Sequence, residues 1–207
     1  MNKDMILRYF EQLDLIMNAN RDYLIELDSV VGDGDLGLTM GDGFKEANRF
    51  IASTDTQDIG RLIYGAGKAM SVKVPSTMGT LMASGFMQVG KAFKGYENFE
   101  PSQWTLFFES FFDGVANRGK AKIGEKTFLD GLYPAIQVLK EAEPITSDNL
   151  VIVANTAYQA AKDGYENTAT MVAVHGRAAT RGEASRRLKD PGAYVAALMM
   201  QALTKSI

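Results

Sequence analysis

Leu27-Asp28-Ser29-Val30-Val31-Gly32-Asp33-Gly34-Asp35-Leu36-Gly37-Leu38-Thr39-Met40 is the stretch around which the chain is organised. Asp28, Asp33 and Asp35 fall within eight residues, interleaved with Gly32, Gly34 and Gly37. A hydrophobic pattern resumes at Leu36, so the loop opens straight into a helix. Carboxylates this close repel one another, and a hard cation removes the conflict. Oxygen donors suit Mg²⁺ or Ca²⁺, and Mg²⁺ commonly joins one or two carboxylates to phosphates. Glycines let the backbone bend towards a ligand, and a helix N-terminus turns amide donors and partial positive charge on any anion. Two readings stay open at this level: a metal–phosphate loop, or an Asp-Gly turn followed by an ordinary helix cap. An EF-hand does not fit, because the twelfth position counted from Asp33 is Phe44 rather than Glu. A haloacid-dehalogenase-type Asp-x-Asp nucleophile needs a flanking α/β pattern that the chain lacks.

Outward from this loop the periodicity is helical. Ile6, Phe10, Leu13 and Met17 form one stripe, and Asn20 to Leu27 reads as a shorter helix feeding the aspartates. Leu36 to Ile51 carries the next helix, broken by Gly41 and Gly43, which are expected to permit close approach by a neighbour or ligand. Ile59, Leu62, Ile63, Ala66 and Met70 stripe another, and after the turn-like Lys73–Gly79 so do Met82, Phe86, Val89 and Phe93. Pro101 suits a first turn, with Trp104, Phe107, Phe108, Phe111, Phe112 and Val115 behind it as one core face. Gly119 stands where a left-handed C-cap is expected. Leu129, Leu132, Ile136 and Leu139 mark a helix ending before Pro144. Asp148 is placed to cap an alanine-rich helix through Ala154, Ala157 and Ala161, and Val195 to Ala202 ends the series. Thr168 to Val174 is ambiguous. No alternating strand, repeat or linker divides the chain. The expectation is an all-α domain of about eight helices spanning residues 1–207.

Composition narrows the function. A net charge of −3 offers no basic excess for nucleic acid. With no cysteine, thiolate nucleophiles and Zn–Cys sites are excluded, and a reducing compartment fits. The N-terminus shows no signal-peptide core, and no run of ~18 apolar residues exists to span a membrane. A cytoplasmic location is expected.

Polar and glycine-rich residues gather in four connections: Asp28–Thr39, Pro75–Gly79, Arg118–Thr127 and Gly176–Gly192. In an up-down arrangement alternate connections share one end, so these can meet. The Arg118–Thr127 segment is basic and flexible enough to embrace phosphates, or is simply a solvated connection. Arg177 offers a guanidinium that could fork onto phosphate oxygens, or is an exposed structural arginine. Asp190-Pro191-Gly192 reads as a cap and helix start. His175, the single histidine, has no evident Ser or Asp partner and receives no catalytic role. No triad and no Walker motif can be assembled.

Four blocks in order carry a resemblance over nearly the full length. They are Leu27-Asp28-x-x-Val31-Gly32-Asp33-Gly34-Asp35-x-Gly37; Arg118-Gly119-Lys120-Ala121-x-x-Gly124-Glu125-Lys126-Thr127; Gly176-Arg177-Ala178 with Gly182-Glu183 and Ser185; and Asp190-Pro191-Gly192-Ala193. With them the chain resembles the ADP-binding L subunits of bacterial dihydroxyacetone kinases. The resemblance implies a barrel of eight antiparallel helices holding ADP or ATP and two Mg²⁺ ions at one end. It implies Asp28, Asp33 and Asp35 as metal ligands. Leu36, Gly37, Leu38, Thr39, Thr77, Met78, Gly119, Phe128, Arg177, Asp190, Pro191 and Gly192 would then surround the nucleotide. Arg177 would also stabilise the moving phosphoryl group, the one catalytic role implied.

Departures from the family pattern mark a divergent paralogue. The usual His after the third Asp is Leu36, the following Asn is Thr39, and Phe128 replaces a methionine. The Gly-Gly-Ala-Ser-Gly loop is Pro75-Ser76-Thr77-Met78-Gly79, and the Tyr-Leu-Gly-Glu-Arg-Ser-Ile-Gly-His segment is Thr180-Arg181-Gly182-Glu183-Ala184-Ser185-Arg186-Arg187-Leu188. The implied function is a phosphotransferase subunit acting on dihydroxyacetone or a related short ketose. The ketose would be held by a partner subunit, and a phosphocarrier protein of the phosphotransferase system is a possible second partner. Neither nucleic acid nor membrane is expected as a partner. The rival reading is a non-catalytic nucleotide-sensing subunit that kept the metal loop.

Overall fold

The computed structural model describes residues 3–207, and within them the chain is helical with no strand. The α-helices are α1 (Asp4–Ala19), α2 (Arg21–Val31), α3 (Leu36–Ser53), α4 (Ile59–Lys73), α5 (Thr77–Ala92), α6 (Gln103–Gly119), α7 (Phe128–Glu141), α8 (Leu150–Asn167) and α9 (Pro191–Ser206). Short 3₁₀ segments, Thr168–Thr170 and Arg177–Ser185, lie between α8 and α9.

Eight of these helices close a ring. Helix α1 packs on α3, each helix from α3 to α8 packs on its successor, and α9 returns to α1. Helix α2 leans on α3 from outside that ring. The first turns of α3, α5, α7 and α9 open on one cleft, so these four run one way and the helices between them run the other. This is the expected all-α barrel of about eight helices, with α2 as an additional short arm. No helix among the described residues is long and apolar enough to cross a membrane.

The apolar stripes point inward because 3.6-residue periodicity leaves each helix one dry face. Tyr9, Phe10, Phe44, Phe86, Trp104, Phe107, Phe108 and Phe111 are fully buried in one cluster. Tyr9 meets Trp104 edge-on at 5.0 Å, and Phe86 meets Phe111 at 4.9 Å. Phe111 in turn meets Phe128 at 5.8 Å, which carries the aromatic core up to the cleft floor. Small residues bring backbones together. A Cβ on Gly60 of α4 would lie 2.5 Å from the Gly90 carbonyl of α5, so any larger residue there would push the pair apart. Helix α3 stays continuous through Gly41 and Gly43, and Gly43 makes room for Met70 of α4 and for Val74 just past its end.

Several local expectations need correction. Helix α2 continues past Leu27 to Val31, which places Asp28 on its last turn rather than in the loop. Gly119 is helical, and the left-handed residue is Lys120 at φ 55°. Gly119 is small for packing instead, since a Cβ there would come 3.2 Å from Leu81 of α5. Pro101 precedes α6, which starts at Gln103. Asn149, not Asp148, is the N-cap position of α8, and its side chain accepts from the Thr146 amide at 2.8 Å. The ambiguous 168–174 segment is one 3₁₀ turn followed by irregular chain.

Candidate functional site

At the end of the barrel where α3, α5, α7 and α9 begin lies a cleft of about 820 Å³, within the ~300–1,000 Å³ usual for small-ligand sites. Residues from all four glycine-rich connections line it.

Its acidic side is the opening stretch. Asp28, Asp33 and Asp35 each offer a carboxylate oxygen, and those oxygens lie within 4.8 Å of one another. Gly34 makes this possible with φ +74°, a left-handed turn that reverses the chain between the second and third aspartates. Asp28 is half-buried, and its Oδ2 accepts the Leu36 amide at 3.3 Å. Burial raises the Asp28 carboxyl above its ordinary range and the charges of Asp33 and Asp35 add to this, while the Leu36 amide works against them. Asp35 holds the N-cap position of α3 yet makes no capping bond. The capping is done by Asp28, which leaves Asp35 exposed beside its neighbours. Three converging hard oxygen donors, one of them half-buried, suit a hard divalent cation such as Mg²⁺. An ordinary turn and cap would not need that convergence.

The helix starts form the cleft's second feature. Ser76 caps α5 by accepting from Gly79 N at 3.0 Å, and Thr39 Oγ1 meets Ser76 Oγ at 3.3 Å. Thr127 and Asp130 form a reciprocal capping box on α7. Asp130 also accepts from Gly124 N at 2.5 Å, which folds the preceding loop onto the helix. Asp190 caps α9 by accepting from Ala193 N at 2.7 Å, with Pro191 in the first turn. Burial pushes the Asp190 carboxyl up to about 7, helped by the charge of Asp130 and opposed by the Ala193 amide and Lys126.

The third feature is the connection from α8 to α9, which crosses the cleft as a strap. Its Arg177 reaches the acidic side, Nη2 to Asp33 Oδ2 at 2.6 Å across an exposed ion pair. Its His175 meets Glu125 at 2.6 Å, and the Val174 amide donates to the Glu125 carbonyl at 3.3 Å. The α6–α7 loop and the strap are thereby zipped together. Lys126 borders the cleft, but its ammonium is taken up by the strap. It is 3% exposed, and its ammonium donates to the carbonyls of Thr168 at 2.8 Å, Ser185 at 2.9 Å, Met171 at 3.2 Å and also Leu188. Desolvation lowers its pKa, against the pull of Asp190.

Asp28, Asp33, Asp35, Leu36, Thr77, Met78, Gly119, Phe128, Arg177, Asp190, Pro191 and Gly192 all line the cleft, as their sequence positions imply. Gly37, Leu38 and Thr39 do not. Gly37 packs against the Arg21 carbonyl of α2, Leu38 is exposed, and Thr39 is buried beneath Ser76. Ser76, Arg118 and His175 join the lining without having been singled out. The Ser-x-x-Gly spacing signals Ser76 as a cap. His175 is legible only through Glu125, fifty residues away.

Comparison with known proteins supplies the remaining findings. The DAK2 domain family matches residues 30–205. The chain is 31% identical, over 99% of its length and 97% of the relative, to the ADP-binding subunit of a PEP-dependent dihydroxyacetone kinase from Listeria innocua. The corresponding Escherichia coli subunit is 28% identical over 98% of this chain and 96% of its own. An L-erythrulose 1-kinase of Mycolicibacterium smegmatis is 26% identical over 96% of this chain and 34% of its own. Among solved structures, the dihydroxyacetone kinase of C. freundii superposes with TM-score 0.75 at 22% identity, covering 98% of this chain and 34% of that one. The same enzyme in complex with AMP-PNP and Mg²⁺ gives TM-score 0.72 at 24% identity, over 97% of this chain and 33% of that one. The chain therefore spans about a third of those solved structures, and the likeness is one of fold.

Proposed function

The chain belongs to the DAK2 domain family, and from that premise we propose that it is the nucleotide-binding phosphotransferase subunit of a kinase for dihydroxyacetone or a related short ketose. The whole of residues 1–207 would work as one nucleotide-binding domain. The observation that carries the reading is convergence: a carboxylate trio, an arginine and the first turns of four parallel helices share one cleft.

In this reading Asp28, Asp33 and Asp35 would hold Mg²⁺, which would supply neutralisation of phosphate charge. The first-turn amides of Thr77 and Met78, and the positive N-terminal end of α9, would face an anion in the cleft. Phe128, with Leu81 and Val115 beside it in the cleft, offers an apolar seat for the adenine. Arg177 can exchange its bond to Asp33 for one to the terminal phosphate. Chemistry of this kind is mostly positioning and charge neutralisation, so no general base is required of this chain.

The full-length match to proteins named as ADP-binding subunits supports an acceptor supplied on a partner subunit. The full-length match to subunits named PEP-dependent favours a phosphocarrier protein as donor, with ADP recharged in place. The rival non-catalytic reading draws on Pro75 and Met78, which line the cleft and bring no side-chain donor to it.

Calorimetric titration of ADP in Mg²⁺ and in EDTA tests the proposal. Binding is expected in Mg²⁺, and it should be lost both in EDTA and in Asp33→Asn, whose fold and melting temperature stay near those of the parent. Equal affinity with and without the metal overturns the bridging role. Tight binding with no transfer, even beside a ketose-holding partner subunit, favours the sensing reading.

A further inference from the structure

The strap between α8 and α9 has almost no core of its own. Between Thr168 and Lys189 only Thr168, Ala173 and Ser185 are buried. Segments with so little apolar burial normally open easily. This one nevertheless holds His175 and Arg177 against the cleft.

Beside the contacts of Val174, His175 and Arg177 at the rim, what replaces a core is one buried cation. The Lys126 ammonium has three protons and lies among four strap carbonyls, those of Thr168, Met171, Ser185 and Leu188. Burying a charge is costly unless it is fully satisfied, and here satisfaction comes only from strap backbone. Lys126 also adopts φ +62°, a left-handed conformation that a non-glycine residue occupies at a cost. The next residue, Thr127, caps α7. The fold thus accepts both strain and a desolvated charge to direct this one side chain under the strap.

We propose that Lys126 is a positioning residue. It anchors the strap to the first turn of α7 and so sets Arg177 and His175 over the position of the phosphates. It touches no ligand itself. The inference rests on the nucleotide reading above, and it adds that the phosphate end of the site depends on an anchor, whereas the adenine end, built on α5, α6 and α7, does not.

The test compares the full chain with Lys126→Met by two measurements. Hydrogen exchange should show faster exchange confined to residues 168–189, with the barrel helices unchanged. The preference for ADP over adenosine, measured in Mg²⁺, should fall about tenfold or more, the scale of one charged hydrogen bond to phosphate, while adenosine affinity is unchanged. A merely structural lysine would lower both affinities alike, and that result overturns the inference. So does an unchanged strap exchange rate. If Lys126→Met fails to fold, Ser185→Ala decides. Ser185 Oγ accepts from Ala173 N at 2.9 Å and donates to Gly182 O at 2.6 Å within the same strap. Its loss should produce a smaller change of the same pattern, and no selective loss of ADP preference overturns the inference. If the unaltered chain binds no ADP, the proposed function fails, and the exchange measurement alone decides whether Lys126 is the anchor.

Discussion

Asp190 shows how one half-buried carboxyl at the cleft rim couples stability to pH. Its pKa in the folded chain, about 7, lies above the ordinary carboxylate value. The folded state therefore keeps a proton that the unfolded state releases. This contribution is complete below about pH 4 and is lost as pH rises through about 7. Asn caps a helix about as well as Asp and carries no charge. Asp190→Asn should thus gain stability over the parent between pH 5 and pH 8, on the order of 1 kcal/mol or more at the upper end. Thermal melts of both proteins at the two pH values check this, and parallel curves would rule it out. The Asp190 cap was legible because Asp-Pro-Gly is a local signal. The aspartate trio was legible for the same reason, all three falling within eight residues. Lys126 was not. A basic loop reads as a phosphate clamp until the fold shows four carbonyls on the inner side of one of its lysines.

At the scale of elements, the site is a set of helix beginnings whose caps also join neighbours. Ser76 caps α5 and at the same time meets Thr39 of α3, so one hydroxyl fixes two first turns. Ser76→Ala should cost about 1 kcal/mol. For a chain of this size that lowers the melting temperature by about 2–4 °C. Differential scanning calorimetry reads the shift, and no change would mean that the α5 start is held by packing alone. The helices themselves were legible because each apolar stripe is local and periodic. Their ends were less so. Gly119 has the signature of a left-handed cap, yet the approach of Leu81 keeps it helical and passes the turn to Lys120. Helix α2 outruns its apolar stripe because Asp28 closes its end by taking up the Leu36 amide.

At the scale of the molecule, the cleft opens at one pole of the barrel, and the function proposed above assigns the sugar to a partner subunit. The isolated protein should phosphorylate no ketose from ATP and should gain activity only with a ketose-holding subunit. A coupled assay with and without a ketose-holding partner subunit checks this, and robust turnover by the chain alone would refute it. The helix count could be read from periodicity, whereas closure could not, because the α1–α9 contact joins the two ends of the sequence. Tyr9 OH donates to the Met199 carbonyl across that seam at 3.3 Å. Contacts so distant in sequence carry the largest loop-closure cost, so the seam belongs to the late steps of folding. Asp33 precedes α3 and Arg177 precedes α9, and their ion pair joins early and late parts of the chain. On the ribosome, therefore, the aspartate half of the site is made long before its arginine. A chain arrested before the strap emerges would carry the carboxylates without their counter-charge, and competence to hold a triphosphate would arrive only with the last helix.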